Sequence, residues 1–188
     1  MIITELLAVL SIGAATGLRI ALPLLLIGLM SGNQLWANVP LLSRLPPALL
    51  LGILASWSAA ELMLSKDRHS QRLFQSIELV LSPGVGALAG VALARTVGLE
   101  GWLHWIFGLI SALLALVIQL LQVGFFYRPR RPPLWAFFVV DGLCIVLAFL
   151  AFDDPNAGGI IALLLLWLVI RTSYLWRNWT RGGPRSQG

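Results

Sequence analysis

Cysteine occurs once in 188 residues, histidine twice, and charged side chains make up only 11% of the chain. The single Cys144 excludes an intramolecular disulfide and any cysteine-rich metal centre, and inside an apolar run it reads as packing. Neither His69 nor His104 has a second His or Cys at ligand spacing, so no metal site is expected. The Gly-x-Ser-x-Gly elbow, His-Glu-x-x-His and the Gly-rich Lys-Ser/Thr phosphate loop are all missing. With no clustered acid, base or nucleophile either, neither enzyme activity nor a cofactor is expected. No Lys or Arg precedes the first apolar stretch, which opens Met1-Ile2-Ile3-Thr4-Glu5. A secretory signal needs a positive leader, so this segment is expected to stay in the mature protein. Alternation of apolar and polar residues is absent too, which argues against a β-barrel.

What the chain has instead is hydrocarbon. Apolar residues fill 59% of its positions, against roughly 45–50% in a typical soluble domain. No polar linker divides it. One all-α transmembrane helical domain is therefore expected over 1–176, followed by a short, basic, unstructured cytoplasmic tail over 177–188. The formal net charge is +5, but the basic residues lie in short clusters between apolar runs rather than along one face. That pattern fits a lipid bilayer as the partner and not nucleic acid.

A helix needs about 20 residues to cross roughly 30 Å of hydrocarbon. Six stretches qualify: Ile2 to Met30, interrupted by Arg19 and Pro23; Leu45 to Leu64, opening with Pro46-Pro47; Leu73 to Leu99; Gly101 to Tyr127; Leu134 to Phe152; and Gly158 to Trp176. Ser82-Pro83-Gly84 falls inside the third and is expected to break it, as a kink or as the tip of a re-entrant pair. Lys66, Arg68 and Arg72 follow the second stretch, Arg128, Arg130 and Arg131 the fourth, and Arg177, Arg181 and Arg185 the sixth. Cytoplasmic loops carry the excess of Lys and Arg, so six spans with both termini inside are expected, with re-entry disfavoured. Trp102 and Trp105 would then mark the outer interface, and Trp135, Trp176 and Trp179 the inner one.

Association in lipid depends on close backbone approach, for which small residues four apart are the usual device. Gly13 and Gly17 supply it in the first stretch, Gly52, Ser56 and Ala60 in the second, Gly86 and Gly90 in the third, and Gly108 and Ala112 in the fourth. These residues read as intramolecular packing, or alternatively as the seam of a homo-oligomer or a place where substrate touches backbone. Ser11 to Arg19 and Ser82 to Gly90 look loosely alike, and under six spans they would form a parallel repeat.

Ionisable side chains inside a span cost at least a few kcal/mol and normally pair within the bundle or line a wet path. Glu5 and Glu61 are close enough to a span end to reach water, and Glu61 joins the candidate polar site as its outermost member. Glu78 lies about 8 Å in from Leu73 and Asp141 about 10 Å in from Leu134, at 1.5 Å per residue. Arg19, counted from a cytoplasmic start near Glu5, lies about 20 Å deep, and it cannot be neutralised by losing a proton. Arg19 is expected to pair with Asp141, with Glu78 as the second choice. The depths differ by about 10 Å, which helix tilt, the long arginine side chain or a break near Gly17 would have to absorb.

Three segments, Ser11-Ile-Gly-Ala-Ala-Thr-Gly-Leu-Arg19 with Pro23, Leu81-Ser-Pro-Gly-Val-Gly-Ala-Leu-Ala-Gly90 and Phe138-Val-Val-Asp141-Gly-Leu-Cys, resemble the bacterial membrane proteins grouped as domain of unknown function 4126. The likeness runs from the first stretch to the last. Ala151-Phe-Asp-Asp-Pro and Gly159-Ile-Ile-Ala-Leu-Leu-Leu-Leu-Trp-Leu are similar to versions from photosynthetic bacteria. The resemblance implies a multi-pass protein of the bacterial inner membrane or the thylakoid, with Arg19 and the Pro83-Gly84 region as pattern residues, and it supplies no substrate. Two functions follow as expectations. One is a small permease or channel-like protein for an ion or small solute. The other is a non-catalytic partner that assembles or stabilises a larger membrane complex.

Overall fold

A computed structural model describes residues 2–31, 46–64, 68–98, 101–126 and 134–181. All regular structure among them is helical. The first expected stretch is two helices, α1 (Ile2–Leu18) and α2 (Ala21–Ser31), broken at Arg19-Ile20. Pro23 explains the break: it offers no N–H to the Arg19 carbonyl and its ring would strike that oxygen, so it is tolerated only in the first turn of a new helix. Thr16 adds to the effect by donating its hydroxyl back to the carbonyls of Ile12 and Gly13, both at 3.0 Å, a contact that tends to bend helices.

The next helix, α3 (Pro47–Leu64), starts at the double proline, where missing N–H groups cost nothing. Helix α4 (Arg68–Thr96) continues through Pro83, so Pro83-Gly84 does not end the helix, which corrects the re-entrant alternative. Contacts on both sides of the proline hold α4 against its neighbour and outweigh the single lost backbone bond. Gly98 and Gly101, with φ of 83° and 80°, make the turn into α5 (Leu103–Phe126) in a conformation that side chains with a Cβ resist. Helix α6 (Leu134–Asp153) passes into α7 (Pro155–Arg181) through Asp154, whose carboxylate accepts the Ala157 N–H at 3.3 Å as an N-cap, with Pro155 at the first helical position. Because α7 continues to Arg181, the first part of the expected tail is helical, and 182–188 lies outside the described residues.

The hub of the bundle is α1, which packs against α2, α4, α5, α6 and α7. Every residue from Ser11 to Leu18 is buried. Its direction differs from expectation. Thr4, Glu5 and Ala8 line a small cavity together with Leu93, Thr96 and Val97 from the end of α4, Ala151 and Phe152 from the end of α6, and Pro155 from the start of α7. At the other end, Gln122 near the close of α5 reaches the Leu18 carbonyl. Helices α1, α5 and α7 therefore run one way and α4 and α6 the other. The Ile2 end shares its side with the Asp153-Asp154 corner, opposite the basic residues that open α4 and close α7. This corrects the expectation that both termini lie on one side, and with it the parallel-repeat reading, since α1 and α4 are antiparallel. The end of α1 at Leu18 and the start of α4 at Arg68 lie at the same end of the bundle. The basic residues that open α4 and close α7 lie at one end and Arg95, in the last turn of α4, at the other, but no basic residue next to Ile2 in the sequence gives the first helix a side.

The outside of the bundle is as apolar as its inside. Val80 is 76% exposed, Phe138 74% and Leu164 59%, an outward hydrocarbon surface that soluble monomers avoid. Two described segments, Ser76–Thr96 and Leu103–Val123, are long and apolar enough by length and composition to cross a membrane. Trp102, Trp105 and Trp135 are all exposed near helix ends.

Candidate functional site

Small residues bring α1, α4 and α5 close enough for their polar groups to meet. A Cβ built on Gly13 would lie 2.9 Å from Ser111 Oγ, and one on Gly17 would lie 2.7 Å from the Ala115 carbonyl oxygen. Gly90 and Gly86 meet the same two residues from the α4 side, Ser111 and Ala115 respectively. Two glycine pairs thus clasp one strip of α5 in opposite directions. Gly52 does not behave this way: it is exposed, and a Cβ there would meet nothing within 4 Å, because no described helix runs beside that face of α3. Gly84 likewise faces open space.

Below this clasp lies a belt of polar side chains at one level. Arg19, freed from helical geometry by the break, places Nε 2.6 Å from Asp141 Oδ1, with the two side chains 12% and 14% exposed. The depth conflict between them disappears with the reversed direction of α1. Arg19 lies about 20 Å from the Glu5 end of a core roughly 30 Å thick, hence about 10 Å from the other face, where Asp141 also sits.

Beside the ion pair, Gln122 Nε2 donates to the Leu18 carbonyl at 3.0 Å, satisfying an acceptor that the broken helix leaves without its usual donor. One turn away on α5, Gln119 Nε2 donates to Glu78 Oε2 at 3.1 Å. Both Glu78 and Gln119 are buried. The belt therefore crosses α4, α5, α1 and α6 in the order Glu78, Gln119, Gln122, Leu18, Arg19, Asp141. Within it the acidic residues differ: Asp141 faces a guanidinium, whereas among the described residues Glu78 faces a neutral amide.

Of the sequence candidates, Arg19, Asp141 and Glu78 thus share one level, with Glu78 linked through glutamines rather than to Arg19 directly. The Glu61 side chain lies outside the described residues. Gln119 and Gln122 are not among the sequence candidates, although two amides three apart in an apolar helix share a face. Neither is Ser11, whose hydroxyl donates to the Leu147 carbonyl at 2.7 Å and ties α1 to α6. Cys144 packs there as well, its thiol 3.4 Å from the Ala15 carbonyl oxygen. His104 stacks at a tilt on Trp105, with ring centroids 5.3 Å apart. Among the described residues no cluster of His, Cys, Asp and Glu has the make-up of a metal centre.

No curated protein and no solved structure matches the chain. One family model does, over residues 6–174, a range that takes in Arg19, Glu78, Gln119 and Asp141. The chain belongs to the family described as Domain of unknown function (DUF4126).

Proposed function

We propose that this protein sits in a bilayer as a small permease or channel-like protein for an ion or small solute, with the polar belt as its binding level. The belt is the observation that carries the reading. Ionisable side chains within hydrocarbon are costly and face a partner or a solute path. A helix broken at the same level leaves backbone groups available to a solute, as discontinuous helices do in transporters. The apolar exterior supports a bilayer, and family membership suggests the bacterial cytoplasmic membrane.

In this placement the basic end faces the cytoplasm, so the Ile2 end of α1 faces the opposite side. Ile3→Cys tests this directly, since the native Cys144 is buried and silent. A membrane-impermeant maleimide is expected to label Ile3→Cys in intact cells; labelling only after lysis rejects the placement. For transport, the purified protein in proteoliposomes is expected to pass one member of a panel of ions and metabolites, with Asp141→Asn lowering the flux at least tenfold. No flux of the wild-type protein across a broad panel rejects it.

A second reading, assembly of a larger membrane complex, is favoured by α3. Leu49, Gly52, Ile53, Ser56, Trp57 and Ala60 line an open groove of about 520 Å³ on its outer face. Mild-detergent purification separates the two. A co-purifying subunit supports the second reading, and a clean isolated oligomer counts against it.

A further inference from the structure

Glu78 places a carboxyl group inside the bundle. It is 5% exposed, its hydrogen-bond partner is the neutral Gln119 amide, and among the described residues no cation pairs with it. Two more polar atoms around it are left over. Gln119 Oε1 and Ser82 Oγ are buried without a hydrogen-bond partner, in residues 1% and 0% exposed. Ser82 stands one turn beyond Glu78 on the same face of α4. Pro83 adds a fourth oxygen to this turn, because it has no N–H to give the Leu79 carbonyl.

The orientation of the Gln119 amide is the informative detail. Oxygen and nitrogen of an amide are assigned from the surrounding hydrogen bonds. Turned over, the amide would set its oxygen where Nε2 now lies, 3.1 Å from Glu78 Oε2, and a cation held by both oxygens would relieve their repulsion. The set is then a carboxylate, an amide oxygen, a hydroxyl and a backbone carbonyl. An all-oxygen set suits hard cations rather than soft metals, and its single negative charge matches a monovalent one.

We propose that Glu78, Gln119 and Ser82 form a binding site for one small monovalent cation of the sodium class, at the α4–α5 contact. This deepens the permease reading by naming a candidate coupling ion, yet binding does not require that transport occur. The two can therefore fail separately.

The test uses the full-length protein in mild detergent, with thermal unfolding followed in sodium, lithium, potassium and choline chlorides at equal ionic strength. A saturable rise in Tm with sodium or lithium, absent with choline, is expected. Glu78→Gln should abolish it, and Ser82→Ala should shift its midpoint at least tenfold higher in sodium while leaving the Tm in choline within a few degrees. If Glu78→Gln does not fold, Ser82→Ala decides. An equal rise in all four salts, or a sodium-specific rise unchanged in Ser82→Ala, overturns the site. So does stabilisation by acid with no dependence on sodium, which would make the occupant a proton.

Discussion

Gly17 and Gly52 both lie within apolar helices with a small residue four positions away, yet their surroundings are opposite. Around Gly17 the backbone of α5 comes so close that a Cβ would fall 2.7 Å from a carbonyl oxygen, whereas around Gly52 there is nothing within 4 Å. The first belongs to the seam where α1, α4 and α5 meet, the second to the arm formed by α2 and α3. The arm has its own small core, Ala21 with Leu50 and Leu54, and its main contacts to the rest run from α2 to α6 and α1. Small-residue spacing permits close approach; whether approach happens depends on a partner helix running alongside. Arg19 stands at the hinge between the two regions.

Breaking that hinge is the largest perturbation available. Asp141→Asn leaves the Arg19 guanidinium mostly buried with its carboxylate partner gone, and removing one partner of a buried pair costs roughly 3–5 kcal/mol. Thermal unfolding in detergent should show a large loss, with the arm becoming protease-sensitive before the seam. The charge swap, Arg19→Asp with Asp141→Arg, should recover more stability than either single change. If it folds no better than the singles, the ion pair is not what joins arm to seam.

Within the seam, Gly17→Ala should cost about 1–3 kcal/mol, the usual penalty of overpacking, because the new methyl meets backbone that cannot step aside. Ser11→Ala should cost less, about 1 kcal/mol for one hydrogen bond, since the Leu147 carbonyl keeps its helical donor. If Ser11→Ala proves the more damaging, the α1–α6 tie rather than the α1–α5 clasp dominates the seam.

Helix content, most helix ends and the Arg19–Asp141 partnership were legible in the sequence because hydrocarbon length and stranded charge are strong signals. The direction of α1 was not. Positive-inside counting depends on basic residues near each span end, and none lies near Ile2, so the orientation was inherited from an assumed count of crossings. With α1 in the opposite direction Arg19 and Asp141 differ in depth by about 10 Å, about seven residues of helical rise, and the observed direction removes that mismatch. The two prolines were also indistinguishable as letters. Pro23 ends a helix because a new one can start around it, while Pro83 is carried through because Glu78 on one side and Gly86 and Gly90 on the other anchor α4 to α5. Which outcome prevails is decided by neighbours that local sequence does not name.

The smallest expected effect carries the comparison back to the arm. Gly52→Ala places a methyl in open space on an exposed helix face, so sterics contribute nothing, and replacing Gly by Ala in a helix interior is favourable by up to about 1 kcal/mol. The isolated chain should therefore unfold at the same temperature or slightly higher, the reverse of Gly17→Ala. A loss of stability would mean that something packs on this face of α3 in the purified protein, such as a second copy seated in the Leu49–Ala60 groove. Gly52→Leu distinguishes these cases, because it fills the groove without touching the seam. An unchanged Tm with an unchanged oligomeric state makes the face a lipid contact, whereas an unchanged Tm with loss of an oligomer or of a co-purifying subunit makes it an interface.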